Sequence, residues 1–176
     1  MGSISTIKPI KPSPFLILTG LLLSTLLFSH GYCEKSPADY SLGLSDRDNR
    51  ILEEVSRHMG VPYKSGGSSK SGVDCSGFVR LIYRHIFNVD LPYVAASQSR
   101  LPIFDDITFE ELRTGDLIYF TRTPKKVRIN HVGIYLKDGK FAHAIEKKGV
   151  IVSNLSERHW KTRVKKIKRI TKDPGQ

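Results

Sequence analysis

Cys75 stands in GVDCSGF, directly after the Gly/Ser stretch KSGGSSKSG at 64–72 and at the head of a segment whose apolar residues, Phe78, Leu81, Ile82 and Ile86, recur at helical spacing. The first turn of a helix carries unpaired backbone N–H groups and the positive end of the dipole, so a thiol there ionises more readily. A thiolate nucleophile still needs a proton carrier for its leaving group, and the usual carrier is an imidazole brought alongside by the fold. The chain holds six histidines. His58 and His85 come late in helical segments, where a cation is favourable for structural reasons, and His159 precedes Trp160 in a short polar segment suited to the surface. His131 and His143 differ, because each lies on a run of strand character flanked by apolar residues, either side of an Asp138-Gly139 turn signal. These types allow a Cys/His pair for nucleophilic catalysis; the bland alternative is a small buried Cys and hydrogen-bonded strand histidines. Zinc is a poorer use, since Cys75, His131 and His143 lack the short paired spacings of structural sites.

Whether the two imidazoles can meet depends on register. With Asp138-Gly139 as the two turn residues, Lys137 pairs with Lys140, Ile134 with His143 and His131 with Glu146. Ile134 and His131 point to opposite faces, so the strict register separates the imidazoles; a one-residue bulge, or a turn one residue longer, brings them together.

The elements around these residues are readable in outline. Ser45 with Asp48 three residues on resembles a capping box, and Ile51, Leu52, Val55 and Met59 follow at helical spacing until Gly60. A flexible Gly/Ser loop then delivers the chain to the Cys75 helix. Between Leu91-Pro92 and Gly115 no period dominates. Strand runs follow: DLIYF at 116–120, HVGIYL at 131–136, KFAHA at 140–144, GVIVS at 149–153 and VKKIKRI at 164–170. A helical half followed by closely spaced strands predicts an α+β fold, N-terminal helices packed on an antiparallel sheet, rather than alternating βαβ units.

At 176 residues the chain supports one core and not two, and 39% apolar with 26% charged residues excludes a disordered chain. Two cysteines, Cys33 and Cys75, exclude a disulfide-dense scaffold. Residues 1–31 carry Lys8 and Lys11 without an acid, then a 14-residue apolar run from Phe15 to Phe28, then Ser29, His30 and Gly31. That order is a secretory signal peptide, and the run is short against the roughly 20 residues of a membrane span. Cleavage after Gly31 fits the small residues at Ser29 and Gly31; a cut after Cys33, or lipidation of Cys33, are the competing readings, with Tyr32 against the latter. Residues 32–44 read as a tether and 45–172 as the functional domain. The formal charge is +11 and stays at +9 without residues 1–31, so the basic character belongs to the domain. It favours an anionic neighbour, and for an exported protein that means wall polymers or a membrane surface rather than nucleic acid.

GVPYKSGG (60–67), GVDCSGFV (72–79), LRTGDLIYF (112–120), HVGIYLKDGKFAHA (131–144) and GVIVSNL (149–155), in that order, resemble the NlpC/P60 cysteine peptidases, a papain-like group that cuts bacterial cell-wall peptides. The resemblance runs from about Ile51 to Ile170 and implies a papain-like fold. It also implies a nucleophile at Cys75, a general base at His131 and a third, polar member at His143. It brings a Tyr63 hydroxyl near the nucleophile, and Asp74 and Ser76 as flanking residues that line the substrate groove. One departure stands in LPYVAASQ (91–98), where Tyr93 replaces an arginine that the family often has. The function implied is hydrolysis of a peptidoglycan stem peptide by a secreted, monomeric bacterial enzyme, at the bond joining the D-glutamate γ-carboxyl to diaminopimelate, with no metal or organic cofactor. The basic residues Lys125, Lys126 and Arg128 before His131 suit the carboxylates of such a peptide. An amidase or acyltransferase on the same plan, or a wall-binding module with idle chemistry, are the alternatives.

Overall fold

Ser45 caps α1 (Asp46–Ser56): its hydroxyl accepts from the Asp48 N–H at 3.1 Å and the Asp48 carboxylate accepts from the Ser45 N–H at 3.2 Å. The computed structural model describes residues 44–171; the segment read as a signal peptide, Cys33, residues 32–43 of the tether and Lys172 lie outside the described residues. α1 ends before its apolar spacing does, with Arg57 as C-cap, so Met59 is largely exposed and His58 sits buried in the following turn.

The Gly/Ser stretch is not a free loop. It forms the antiparallel pair β1 (Ser68–Ser69) and β2 (Gly72–Val73), which packs on the first turn of α2 (Cys75–Phe87). A Cβ at Gly77 would stand 1.9 Å from the Gly67 carbonyl oxygen, so only glycine permits this approach two residues after Cys75. Asp74 is the N-cap of α2. One of its oxygens accepts from the Gly77 N–H at 2.7 Å and the other from the Gly66 N–H at 2.9 Å, so a single carboxylate caps the helix and pins the loop. Phe78, Val79, Ile82 and Tyr83 of α2 are fully buried, and Asn88, left-handed at φ 53°, ends the helix.

The segment without a dominant period holds α3 (Ala95–Gln98) and β3 (Phe104–Asp106), both too short to show one. Beyond it come β4 (Leu117–Thr121), β5 (Ile129–Lys137), β6 (Lys140–Ile145), β7 (Gly149–Asn154), α4 (Arg158–Lys161) and β8 (Val164–Ile170). β3 to β8 form one antiparallel sheet in the order β3-β8-β4-β5-β6-β7, the α+β arrangement that the sequence predicts. One face, with Leu117, Tyr119, Val132, Ile134, Ala142 and Ala144, packs against α2. The other carries Ile118, Phe120, Phe141 and Ile167, with Trp160 of α4 against them.

The β5–β6 hairpin turns on Asp138 (φ 51°) and Gly139 (φ 73°), both left-handed as a two-residue turn requires, and Lys137 pairs with Lys140. The strict register stops there. Tyr135 pairs with Phe141 and Ile134 with Ala142, which leaves Leu136 as an extra residue on β5. The Thr114 hydroxyl donates to the Leu136 carbonyl, satisfying a polar group that the bulge removes from the ladder.

Candidate active site

Cys75 is the first residue of α2 and is 8% exposed. The β5–β6 ladder extends no further than Ile134 and Ala142, and the Cys75 sulfur lies against the earlier part of β5, 4.0 Å from the Asn130 carbonyl oxygen. Burial pushes the thiol up to about 11, with Asp74 adding to the rise; the N–H groups of Val132, Ser76 and Cys75 pull the other way. The helix start therefore acts on the thiol as the sequence predicts, but desolvation is the larger effect, and the resting sulfur is a thiol at neutral pH.

The Leu136 bulge shifts β6 by one residue against β5, and His131 and His143 share a face as a result. His131 Nε2 and His143 Nδ1 are 2.9 Å apart, and His143 Nε2 is 2.9 Å from the Ser153 hydroxyl on β7. Aromatic rings hold both imidazoles. Trp160 stacks on His131 with planes 24° apart and centroids at 5.5 Å, while Phe141 stacks on the fully buried His143 at 4.6 Å. Burial, with Arg163 nearby, pulls His131 down to about 4, and burial with His131 beside it pulls His143 down to about 3. Both rings are neutral at neutral pH.

A cleft of about 710 Å³ opens at Cys75, lined by Tyr63, Asp74, Ser76 and Tyr93 together with Arg122, Lys126, Arg128 and Asn130. A smaller one of about 390 Å³ holds His131, Glu146, Trp160 and Arg163, and the two share Tyr63, Arg122 and Asn130. Cys75 and His131 thus line adjoining parts of one groove. Burial, together with Cys75, Asp74 and Glu146, raises the Tyr63 phenol, which keeps its proton available for donation. Asp74 and Ser76 line the cleft as the family resemblance implies, yet their polar atoms are engaged: the Ser76 hydroxyl lies 2.9 Å from Asp74 Oδ1 and 2.7 Å from the Tyr93 carbonyl. At the position of the family arginine, the Tyr93 ring lies over the Arg80 guanidinium at 4.2 Å, and Arg80 is tied to Leu91 and Asp90.

Of the basic residues singled out before β5, Lys126 and Arg128 line the cleft and Lys125 does not; Arg122, from the end of β4, takes its place. Sequence reasoning also passed over Ser153 and Trp160, whose one available signal was the polar break in GVIVSNL and the lone tryptophan of the chain. His58 and His85 meet Glu54 between α1 and α2, at 2.9 Å from its carbonyl and 2.6 Å from its carboxylate, and neither lines the groove; His159 is exposed. Among the described residues no three His, Cys, Asp or Glu side chains are placed to hold a metal ion.

The neutral imidazoles carry a stability consequence. Their folded values, about 4 and about 3, lie below the ordinary 6.5, so on acidification the unfolded chain takes up protons first and stability falls from about pH 6.5 down to about pH 3. Thermal melts of the wild type should show a falling Tm across that window, and the double variant His131→Gln, His143→Asn should flatten it. Equal slopes in the two proteins would assign the acid transition to other groups.

The sequence profile of the NlpC/P60 family matches residues 60–169. Murein DD-endopeptidase MepS/murein LD-carboxypeptidase of Escherichia coli K12 is 38% identical over 125 residues, which cover 71% of this chain and 64% of that protein. Gamma-DL-glutamyl hydrolase of Bacillus subtilis 168 is 35% identical over 123 residues, 69% of this chain and 29% of that one. The chain thus spans less than two thirds of the length of either relative. Among solved structures, an NlpC/P60 family protein from Bacillus cereus ATCC 10987 superposes with a TM-score of 0.65 at 27% identity, covering 71% of this chain and 40% of that one. The shared architecture is the papain-like α+β fold. Residues 60–169 contain the Cys75 helix start, the bulged hairpin with His131 and His143, and most of β8, and over this stretch the chain belongs to the NlpC/P60 family.

Proposed function

We propose that the protein is a secreted bacterial cysteine endopeptidase that hydrolyses peptidoglycan stem peptides, with Cys75 as nucleophile, His131 as proton carrier and His143 as the residue that orients it. The observation that carries this reading is the helix-start thiol held against β5 and, in the adjoining part of the groove, His131 hydrogen-bonded to the buried His143. Burial favours the neutral thiol and the neutral imidazole, so His131 has a lone pair with which to take the Cys75 proton as the thiolate forms. His131 Nε2 is engaged with His143, so Nδ1 is the nitrogen for the Cys75 proton. The thiolate adds to the carbonyl carbon, His131 protonates the departing amine, and a water deprotonated by His131 releases the acyl-enzyme. The Cys75 N–H and the Tyr63 hydroxyl are the donors for the oxyanion. Asp74 and Ser76 shape the groove next to the sulfur, and Arg122, Lys126 and Arg128 attract the carboxylates of the peptide. The chemistry calls on no cofactor.

The bond proposed is that between the D-glutamate γ-carboxyl and diaminopimelate, in keeping with the relative named gamma-DL-glutamyl hydrolase. The relative named murein DD-endopeptidase favours a second reading, cleavage of the D,D cross-link between stems. Mass spectrometry of muropeptides after digestion of purified peptidoglycan separates them. Cleavage at the γ-glutamyl bond leaves disaccharide-dipeptides from monomers and dimers alike, whereas D,D cleavage converts dimers into intact monomers. An unchanged muropeptide profile would overturn both and favour the wall-binding module.

Export by residues 1–31 belongs to the same proposal, as do a monomeric state and contact of the basic domain with anionic wall polymers or a membrane surface. The chain recovered from a bacterial host is expected to begin at or shortly after Tyr32. A diacylated Cys33 at the N-terminus would establish the lipoprotein form, and full-length protein held firmly in the membrane would sink the signal-peptide reading.

A further inference from the structure

His143 makes two hydrogen bonds, and they act in series. Its Nδ1 meets His131 Nε2 and its Nε2 meets the Ser153 hydroxyl, each at 2.9 Å. A neutral imidazole has one N–H and one lone pair, so the tautomer chosen at one ring constrains the next. For His131 to accept the Cys75 proton, its Nδ1 must hold the lone pair, and its Nε2–H then donates to His143 Nδ1. That bond requires the hydrogen of His143 to sit on Nε2, and the acceptor in reach of this N–H is Ser153 Oγ.

We infer that Ser153 is a positioning residue: its hydroxyl accepts the His143 Nε2–H and thereby stabilises the tautomer chain that leaves His131 Nδ1 free to take a proton. The inference rests on the Cys75/His131 reading above. His143 is fully buried between Phe141 and Trp160, so without the hydroxyl its Nε2–H is a buried donor with no partner, a costly arrangement. The competing tautomer removes that donor by moving the hydrogen to Nδ1. It also reverses the His143–His131 bond and places the His131 hydrogen on Nδ1, where the ring can no longer act as a base. Ser153 itself is half-buried, so its own hydrogen has solvent as a partner and the oxygen can accept.

The test uses the full chain and three substitutions. Ser153→Thr keeps the hydroxyl, Ser153→Val has the shape of threonine without it, and Ser153→Ala removes it at minimal steric demand on a strand. On stem peptides, Ser153→Ala and Ser153→Val should lower kcat by about tenfold, the scale of one lost hydrogen bond, with KM unchanged, and Ser153→Thr should stay near wild type. Iodoacetamide alkylation at neutral pH, followed at the Cys75 peptide by mass spectrometry, should fall in the same order. Threonine and valine variants of equal kcat and equal alkylation rate, whether both high or both low, would show that the hydroxyl plays no part. Absence of stem-peptide hydrolysis by the wild type would instead remove the functional reading, and the alkylation series, which needs no substrate, would still decide the relay.

Discussion

Cys75→Ser and Cys75→Ala are expected to abolish stem-peptide hydrolysis while leaving a folded protein. The proposed nucleophile sits at the helix start with its sulfur against β5, and no other cysteine is present among the described residues. Removing a covalent nucleophile from a catalytic set costs on the order of 10⁴–10⁶ in kcat, and the partners left behind cannot replace the acyl-enzyme route. Serine is close in volume, but its hydroxyl in this buried setting is a far weaker nucleophile than the thiol, and a base that evolved beside sulfur does not compensate. The fold should survive because the features that set the local structure lie elsewhere: the Asp74 cap, the Gly67–Gly77 contact and the buried Phe78 and Val79. Melting curves and muropeptide assays on the same preparations check both halves. Turnover near wild type in either variant would end the cysteine mechanism.

The second large effect is expected at His131. His131→Ala removes the proposed proton carrier and should lower kcat by about 10²–10⁴. His143→Ala should cost less, since His143 assists through a hydrogen bond and performs no proton transfer on the substrate. His143→Asn or His143→Gln should recover part of that loss, because a side-chain amide oxygen can accept the His131 N–H that His143 Nδ1 accepts in the wild type. The comparison needs melting data, as His143 is fully buried and its truncation opens a cavity beside Phe141 and Trp160. If His143→Ala keeps both wild-type turnover and wild-type alkylation of Cys75, the working unit is a Cys75/His131 dyad and His143 is a structural strand residue.

Much of the scaffold is local in origin, which is why residue patterns report it. The Ser45/Asp48 box forms between residues three apart, and it appears in the structure as two reciprocal hydrogen bonds. Asp138-Gly139 demands left-handed backbone whatever surrounds it, and both residues adopt it. The strand runs 149–153 and 164–170 reappear as β7 and β8 because alternating and β-branched residues carry their own signal. By contrast β3, α3 and α4, of three and four residues, owe their conformation to neighbours. α1 likewise stops short of its apolar period because the chain turns after Arg57 and buries His58.

The sequence by itself determined which residues are candidates for the chemistry, Cys75 at a helix start and His131 and His143 on adjoining strands, together with the α+β class and the basic character of the domain. Only the tertiary structure decided how they meet. A two-residue turn fixes pairing at its ends, but the one-residue excess at Leu136, stabilised by the Thr114 hydroxyl some twenty positions away, decides which face His143 takes. The same holds for charge. The helix dipole is a local effect that favours a thiolate, whereas burial of Cys75 depends on every element packed around it and pushes the thiol up to about 11. Ser153 reaches the buried His143, and Trp160 and Arg122 line the groove, for that reason too: hydrogen bonding, stacking and desolvation act through space, and residues far apart in the chain come to act together only when the sheet brings them within a few ångströms of each other.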